Sequence, residues 1–356
     1  MNKDDIQNHV LKLLEPVDRA TVALSMGTGK TLLGLKHMAQ RQLAHMKFLV
    51  VAPKLSVFES WKEESKIHNL EYLQESILYC TYRSLSKIEL DQYDILYLDE
   101  VHNLTINHNQ CLSKYKGKIL GLTGTPPKSI KSHKGFMIDK YCPVIYNYNT
   151  DTAINDKLLN NYKIYVHLLK LSEHKTIKTK WNALTSEKAT YDYWTKRVSE
   201  AFTPKGLQMA RIMRMKVLKE FKSKEDFGLR LFNSIQNKCL LFANTQAQAE
   251  RLCKYNYHSK NKGSENNLNL FKLGSITKLS CVEQLNEGIN IPNLKEGIVL
   301  HAYGNERKFS QKLGRFLRLN PNDEAIIHIL CYKNTIDEIW VKNSLEDLDQ
   351  TKITWK

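Results

Sequence analysis

Five short apolar runs, Thr21–Ser25, Lys47–Ala52, Ile77–Cys80, Ile95–Leu98 and Lys118–Leu122, are bounded by polar residues, Gly or Pro, and helical-looking stretches lie between several of them. A parallel sheet uses such a pattern. Its strands are covered on both faces, so they read as unbroken apolar runs, and crossover helices must join them. The first part of the chain is therefore predicted to be α/β. The pattern loosens after Pro126-Pro127 and a new strand is expected at Lys163–Leu171, which places a boundary near Thr150 and two domains at 1–149 and 150–356. From Glu173 to about Asn233 the chain is rich in Lys and Arg and almost free of Gly and Pro. That stretch reads as a helical insert (about 173–233), with a turn at Pro204 and Gly206. Strands are expected again at Lys238–Ala243, Ile276–Val282, Gly297–His301 and Ala325–Tyr332, and residues 256–269 read as a surface loop.

A chain of 356 residues accommodates two domains of ordinary size. Lys and Arg outnumber Asp and Glu by 53 to 37, a net charge of +16. A surplus of this size suits a polyanionic partner, although a generally basic solvated surface would also produce it. Mean hydropathy is −0.45, and no run approaches the roughly 18 apolar residues of a membrane span. The seven cysteines are scattered and without a C-x-x-C pair, as in a protein of a reducing compartment. No membrane association and a cytoplasmic location are expected; oligomeric state is left open, a monomer included.

Ser25-Met-Gly-Thr-Gly-Lys-Thr31 follows one expected strand and precedes a helical pattern, Leu32–Gln42. A phosphate-binding loop requires this context, because loop amides and a helix N-terminus then point at an anion. Gly27, Thr28 and Gly29 would wrap the phosphates, Lys30 would reach the β/γ-phosphates of ATP, and Thr31 would hold Mg²⁺. Leu24 stands where the strict pattern has its first Gly. The strand Asp94–Leu98 runs into Asp99-Glu100-Val101-His102. Asp99 could hold Mg²⁺ through water and Glu100 could orient or deprotonate the attacking water; an acidic strand end capping a helix is the plainer reading. Thr123-Gly-Thr-Pro126 closes the next strand, either as a relay of phosphate state or as a mere turn. Gln311-Lys-Leu-Gly-Arg315-Phe-Leu-Arg318 presents Arg315 and Arg318 on one helical face, as fingers for a phosphoryl transition state or as a basic amphipathic helix.

Taken in order, residues 27–31, Val51-Ala-Pro53 with Trp61, Thr81-Tyr82, 99–102, 123–126, Leu241-Phe-Ala-Asn244, Asn286-Glu-Gly-Ile-Asn-Ile-Pro292 and 311–318 resemble motifs I to VI of superfamily-two helicases. Within that superfamily the chain resembles the branch of UvsW-type phage recombination helicases, their repair relatives and restriction-enzyme motors. The resemblance implies two tandem RecA-like domains with parallel sheets, the second carrying the helical insert. It implies adenine reading by Gln7, a contribution of Gly288 to ATP binding, and completion of the site by Gln311, Arg315 and Arg318. Asn290 stands where an Asp is frequent. Pro53, Lys54, Thr81, Arg83 and Asn244 lie in segments that face the nucleic-acid backbone in such proteins.

If Leu207–Phe221 is one helix, Ala210, Met213, Val217 and Phe221 share a stripe, and Arg211, Arg214 and Lys222 another. The basic stripe is a solvated face or a phosphate-tracking arm. Trp181 and Trp194 are core anchors or base-stacking platforms. The expected function is an ATP- and Mg²⁺-dependent helicase or translocase, with DNA favoured over RNA and hydrolysis between the two domains. The alternatives are a duplex translocase that does not separate strands and a nucleic-acid-stimulated regulatory ATPase. The resemblance also suggests a phage or mobile-element setting in replication or repair, the host cytoplasm then being the compartment.

Overall fold

A computed structural model describes residues 2–25, 27–43, 45–127, 129–179, 182–282, 291–301, 312–314, 316–317, 320, 322–346 and 348–356. The chain divides into two compact units, Met1–Asn160 with Asn320–Asn322, and Asn161–Leu319 with Asp323–Lys356. No helix among the described residues is long and apolar enough to cross a membrane.

In the first unit, α1 (Lys3–Leu14) precedes β1 (Arg19–Leu24), α2 (Lys30–Arg41), β2 (Phe48–Ala52), α3 (Ser56–Ile67), β3 (Ile77–Thr81), β4 (Ile95–Asp99), α4 (Asn109–Leu112), β5 (Lys118–Thr123), α5 (His133–Tyr141), β6 (Val144–Tyr148) and α6 (Thr150–Asn155). Six strands form one sheet in the order β3-β2-β4-β5-β1-β6, and every pair is parallel. The five apolar runs are its strands, and β2 and β4 are buried at every position. The edge strand β6 was not expected. Its sequence Val-Ile-Tyr-Asn-Tyr leaves Val144 and Ile145 exposed, so burial imposes no apolar run on it. The division between units falls after the expected Thr150, because α6 and its sequel stay with the first unit. Tyr148 donates to Asp156 Oδ2 at 2.7 Å, and Leu159 reaches the loop after β1.

In the second unit, β7 (Asn161–Leu169) is followed by a small antiparallel pair, β8 (Ile177–Lys178) and β9 (Leu184–Thr185), and by α7 (Glu187–Ser199), α8 (Pro204–Glu220) and α9 (Lys222–Ser234). Then come β10 (Cys239–Phe242), α10 (Gln246–Leu252), β11 (Asn256–Tyr257), α11 (Ser264–Leu273), β12 (Lys278–Cys281), β13 (Glu296–Val299), β14 (Glu324–Tyr332), α12 (Ile336–Leu345) and β15 (Ile353–Trp355). The parallel sheet runs β11-β12-β10-β13-β14-β7-β15. Both units are α/β, as the sequence predicts, and the pair has the architecture of two RecA-like domains in tandem.

Residues 256–269 are not simply a surface loop. They contain β11 and the start of α11, whose Leu268 and Phe271 are buried, while Asn261 and Asn267 donate to Asn256. The turn expected at Pro204 and Gly206 lies at residues 200–203 between α7 and α8, and Pro204 opens α8 in the first-turn position where its missing N–H costs nothing. The expected stripe on α8 faces inward, with Ala210 and Phe221 buried and Met213 and Val217 half-buried. Trp194 is half-buried, and Trp181 lies outside the described residues.

The insert joins the sheet through buried polar groups. Glu187, at the start of α7, accepts from the Ser223 amide at 3.0 Å, the Ser223 hydroxyl at 2.6 Å and the Ser172 amide at 3.1 Å. Ser223 Oγ lies 2.9 Å from the Tyr332 hydroxyl. Asp337, on α12 and fully buried, accepts from the Tyr332 amide at 3.0 Å and from the Lys224 ammonium, and its Oδ1 is 3.1 Å from His301 Nδ1.

Two buried histidines are neutral in the fold. His37, 2.8 Å from the Tyr97 hydroxyl, is pushed down to about 4 by burial, with Arg41 and Lys118 adding to the effect. His328 is also lowered to about 4, by burial first and then by His167 and Lys356. Between that value and the unfolded value near 6.5 the unfolded chain binds protons that the folded chain does not, so stability is full above about pH 6.5 and falls towards pH 4. The expected slope is up to about 1.4 kcal/mol per pH unit for each histidine. Thermal unfolding followed by circular dichroism between pH 7 and 4 should show this loss, and a His37→Gln/His328→Gln protein should show a flatter profile.

Candidate nucleotide site and nucleic-acid-facing segments

The parallel register sets out the candidate site. Ala23 on β1 is level with Thr123 on β5, and Asp99 on β4 is level with Leu122 on β5. Three adjacent strands therefore end together, and their carboxyl ends carry the glycine loop, Asp99-Glu100 and Thr123. Open parallel sheets bind ligands at this edge.

After β1 the chain turns through Gly27 (φ 85°) and Gly29 (φ 88°), left-handed conformations that disfavour a side chain. Gly29 caps α2, the arrangement in which loop amides and a helix N-terminus can receive an anion. Thr28 is buried and its hydroxyl donates to the Ser25 carbonyl at 2.7 Å. Lys30 Nζ donates to the Leu24 carbonyl at 3.4 Å and lies 4.0 Å from Glu100 Oε1. Thr31 is half-buried in the first turn of α2.

Asp99 is buried, and its Oδ2 accepts from the Trp61 indole at 2.9 Å. Its backbone carbonyl accepts from the Tyr82 hydroxyl at 2.9 Å. Glu100 has φ 51°, an uncommon conformation for a residue with a β-carbon and one that concentrates at functional positions. Its Oε2 lies 3.3 Å from His102 Nδ1 and 3.5 Å from Thr123 Oγ1, and His102 Nδ1 is 2.9 Å from that hydroxyl. The Thr125 amide donates to Thr123 Oγ1 at 3.1 Å. The Thr-Gly-Thr-Pro segment thus touches the carboxylate expected to act on water.

The buried Gln7 of α1 donates through Nε2 to the Gly29 carbonyl at 3.3 Å, whereas its Oε1 has no hydrogen-bond partner among the described residues. A Cβ on Gly29 would stand 2.6 Å from Gln7 Nε2. An unsatisfied buried acceptor beside a phosphate-type loop fits a nucleotide with an amino group on its base. For Mg²⁺, Thr31 and Asp99 offer the oxygen donors that this hard ion requires. Among the described residues no cluster of three or more acidic, His or Cys side chains could hold a metal, so such an ion would take its remaining ligands from phosphates and water.

Trp61, Tyr82 and His102 stand in the sequence as members of the motif segments with no role expected of them, and in the fold they hold the acidic pair. The available signal was Gly34, a glycine within a helix, where a Cβ would lie 2.5 Å from the Trp61 ring.

Of the residues expected to face nucleic acid, half-buried Pro53 and exposed Lys54 follow β2, while half-buried Thr81 and exposed Arg83 end and follow β3. Ala52 is level with Thr81, so the two segments share the carboxyl edge of the first sheet. On the second unit, Asn244 follows β10, its amide donating to Gln248 Oε1 at 2.9 Å, and its Nδ2 lacks a partner among the described residues. On α8, Arg211 is exposed and Arg214 half-buried. Gln311, Arg315, Arg318, Gly288 and Asn290 lie outside the described residues.

Residues 3–128 match the family described as type III restriction enzyme, res subunit. Over a 384-residue alignment the chain is 23% identical to a DNA 3'-5' translocase, XPB2, of Sulfurisphaera tokodaii, covering 94% of this chain and 82% of that protein. Among solved structures it is similar to an ATP-dependent type ISP restriction-modification enzyme, LlaBIII, bound to DNA (TM-score 0.64, 14% identity), covering 99% of this chain and 30% of that one. A putative HsdR subunit fragment of a type I restriction enzyme from Vibrio vulnificus gives TM-score 0.61 at 15% identity, with 99% and 67% coverage. Dbp5 of S. cerevisiae bound to RNA and ADP BeF3 gives 0.58 at 12%, with 99% and 89% coverage. At these identities the structural likeness establishes the fold.

Trp61→Phe removes the donor to buried Asp99, a loss of about 1–3 kcal/mol, and also the distal indole atoms that pack beside Gly34, which adds to the loss. Thermal denaturation should register that loss, and titration of turnover against Mg²⁺ should show a higher requirement. An unchanged Mg²⁺ dependence would separate Trp61 from the metal-binding role expected of Asp99.

Proposed function

We propose that the chain is an ATP- and Mg²⁺-dependent motor of the superfamily-two helicase kind, working on DNA. The observation that carries this is the placement of Lys30 4.0 Å from Glu100 at the level carboxyl ends of β1, β4 and β5, with Gln7 against the loop. The match of residues 3–128 to a restriction-enzyme family, the similarity to a protein named a DNA translocase and the net charge of +16 support it.

In this reading the loop amides and Lys30 hold the β/γ-phosphates, and Thr31 and Asp99 hold Mg²⁺, which supplies neutralisation of the charge on the transferring phosphoryl group. Glu100 orients the attacking water and takes its proton. His102 and Thr123 fix the carboxylate of Glu100, so the Thr-Gly-Thr-Pro segment senses its position. Gln7 selects adenine. Pro53, Lys54, Thr81 and Arg83 on one unit and Asn244, Arg211 and Arg214 on the other contact the nucleic-acid backbone. Movement along duplex DNA without strand separation is the second reading, favoured by the word translocase in the name of the similar archaeal protein. Strand-displacement and triplex-displacement assays run side by side distinguish the two.

Lys30→Ala should weaken nucleotide binding, whereas Glu100→Gln should keep binding and abolish turnover; adding DNA to the unaltered protein should raise hydrolysis strongly, in a salt-sensitive manner. Full hydrolysis by the Glu100→Gln protein would remove Glu100 from the catalytic role.

The resemblance assigns transition-state stabilisation to Arg315 and Arg318. Arginines in such sites are worth ~10³–10⁵ in rate, so Arg318→Ala should nearly stop turnover at saturating DNA while nucleotide affinity changes little. Arg318→Lys should rescue poorly, because an ammonium lacks the planar fork. Near-normal turnover by the Arg318→Ala protein would leave Arg315 as the candidate.

A further inference from the structure

We propose that the outer face of the α7–α8 hairpin holds single-stranded nucleic acid, with Phe202 at its tip stacked on an unpaired base. This rests on the motor reading above and adds a base-contacting surface to it.

The two helices pack against each other, and the connection between them carries Phe202, which is 100% exposed. Phe202 directly precedes Thr203, the residue that caps α8 by accepting from the Gly206 amide at 3.1 Å. An apolar side chain in that position ordinarily folds back as a staple on the first turn of the helix. Here it stands in solvent above a well-capped helix start, so local helix stability does not account for it.

Along α8 the exposed residues Lys205, Met209, Ile212 and Lys216 recur at one-turn spacing and form a single stripe continuing from Phe202. Met209 is 57% and Ile212 45% exposed. This stripe is distinct from the buried one through Ala210 and Phe221. Apolar positions flanked by lysines suit a strand whose bases face the protein and whose phosphates pass the cations.

Charge favours nucleic acid over a protein partner. Glu187 to Lys222 contains nine lysines and arginines and four carboxylates. Asp192, Glu200 and Glu220 are engaged by Lys188, Lys196 and Lys216 on the same helices, and Glu187 is buried among Ser172 and Ser223. The acidic groups are thereby matched or withdrawn, while Arg197, Lys205, Arg211 and Lys222 are exposed, so the hairpin as a whole is net cationic. A duplex offers such a face phosphates and groove edges but keeps its base faces stacked inside, whereas a single strand also offers the faces of its bases to Phe202, Met209 and Ile212.

The test compares the full-length protein with Phe202→Ala and Phe202→Trp, binding a labelled oligothymidylate and a blunt duplex of equal length. Because the side chain is fully exposed, both variants should fold normally. Phe202→Ala should lose about tenfold in affinity for the single strand, the scale of one base–aromatic stack, and less than about twofold for the duplex. Phe202→Trp should retain the affinity. Equal losses on both ligands, or no loss on the single strand, would overturn the proposal. So would sedimentation showing that Phe202→Ala converts a dimer to a monomer, which would assign the face to a second copy of the chain. DNA-stimulated hydrolysis by the unaltered protein separates the two levels. If it is present and Phe202→Ala binds normally, the arm alone is wrong; if no nucleic acid stimulates hydrolysis, the motor reading fails and the arm with it.

Discussion

The parallel register of β1, β5 and β4 is the constraint on which the candidate nucleotide site depends. The side chains with chemistry to offer there come from four stretches of sequence: Gln7 from α1, Lys30 and Thr31 from α2, Asp99 and Glu100 from the end of β4, Thr123 from the end of β5. They meet because parallel strands put all carboxyl ends on one edge, and because Ala23 is level with Thr123 while Asp99 is level with Leu122. A two-residue slip of β4 would preserve which side chains face each side of the sheet. It would nevertheless carry Glu100 one pleat repeat, roughly 6–7 Å, away from Lys30. Burial at every position of β2 and β4 opposes such a slip, since the polar residues flanking each run would have to enter the core. The apolar core thus does more than stabilise the unit: it sets the position of the carboxylates.

Strain and desolvation are concentrated at the same edge. Gly27 and Gly29 take left-handed angles at low cost, but Glu100 does so with a side chain. Hydrogen bonds on both sides hold it. The Glu100 carbonyl accepts from the Asn103 amide and side chain, each at 2.9 Å, while its carboxylate lies near Lys30, His102 and Thr123. Next to it, buried Asp99 has an indole donor and a tyrosine that fixes its backbone carbonyl. In the proposed reading, a carboxylate held in this manner needs little rearrangement when a reaction begins, which is the physical content of preorganisation.

The fold was legible in the sequence where burial dictates composition. The central strands β2 and β4 are apolar at every position because both faces of a parallel sheet are covered, and β7, β10, β12, β13 and β14 carry enough apolar residues to be read as strands; the edge strand β3 is the exception, legible although Leu78 is exposed. Legibility failed at edges and short elements. β6 and β15 are edge strands with partly exposed side chains, and α11 hides Leu268 and Phe271 among asparagines whose amides are internally bonded. At the candidate site, Gly27, Gly29, Lys30 and the acidic pair could be read from local context, because phosphate chemistry restricts residues within a few positions of one another. Gln7 could be reached only through resemblance, since nothing local marks a glutamine in an amphipathic helix. Trp61, Tyr82 and His102 act across 38, 17 and 21 residues of sequence, and composition holds no record of such contacts.

The second unit shows the same logic with a different outcome. Glu187, Ser223, Tyr332, Lys224, Asp337 and His301 connect the helical insert to the end of β14, the start of α12 and the end of β13. Burial drives His301 below its usual value, while Lys224 and His301 overcome the effect of burial on Asp337 and hold its carboxyl well below the usual range. Well-packed apolar residues often match or exceed the stability of buried ion pairs, so such a cluster is weak evidence for stability alone. Its directional bonds specify one way for the base of the hairpin to sit on the sheet, which nonspecific apolar contact would not do. A rigid base matters if Phe202 is to meet a base at a defined place, because stacking gains little when its platform wanders. The chemistry within the hairpin's foot and the exposed aromatic at its tip are therefore two parts of one requirement: the cluster provides the position that makes the exposed ring useful.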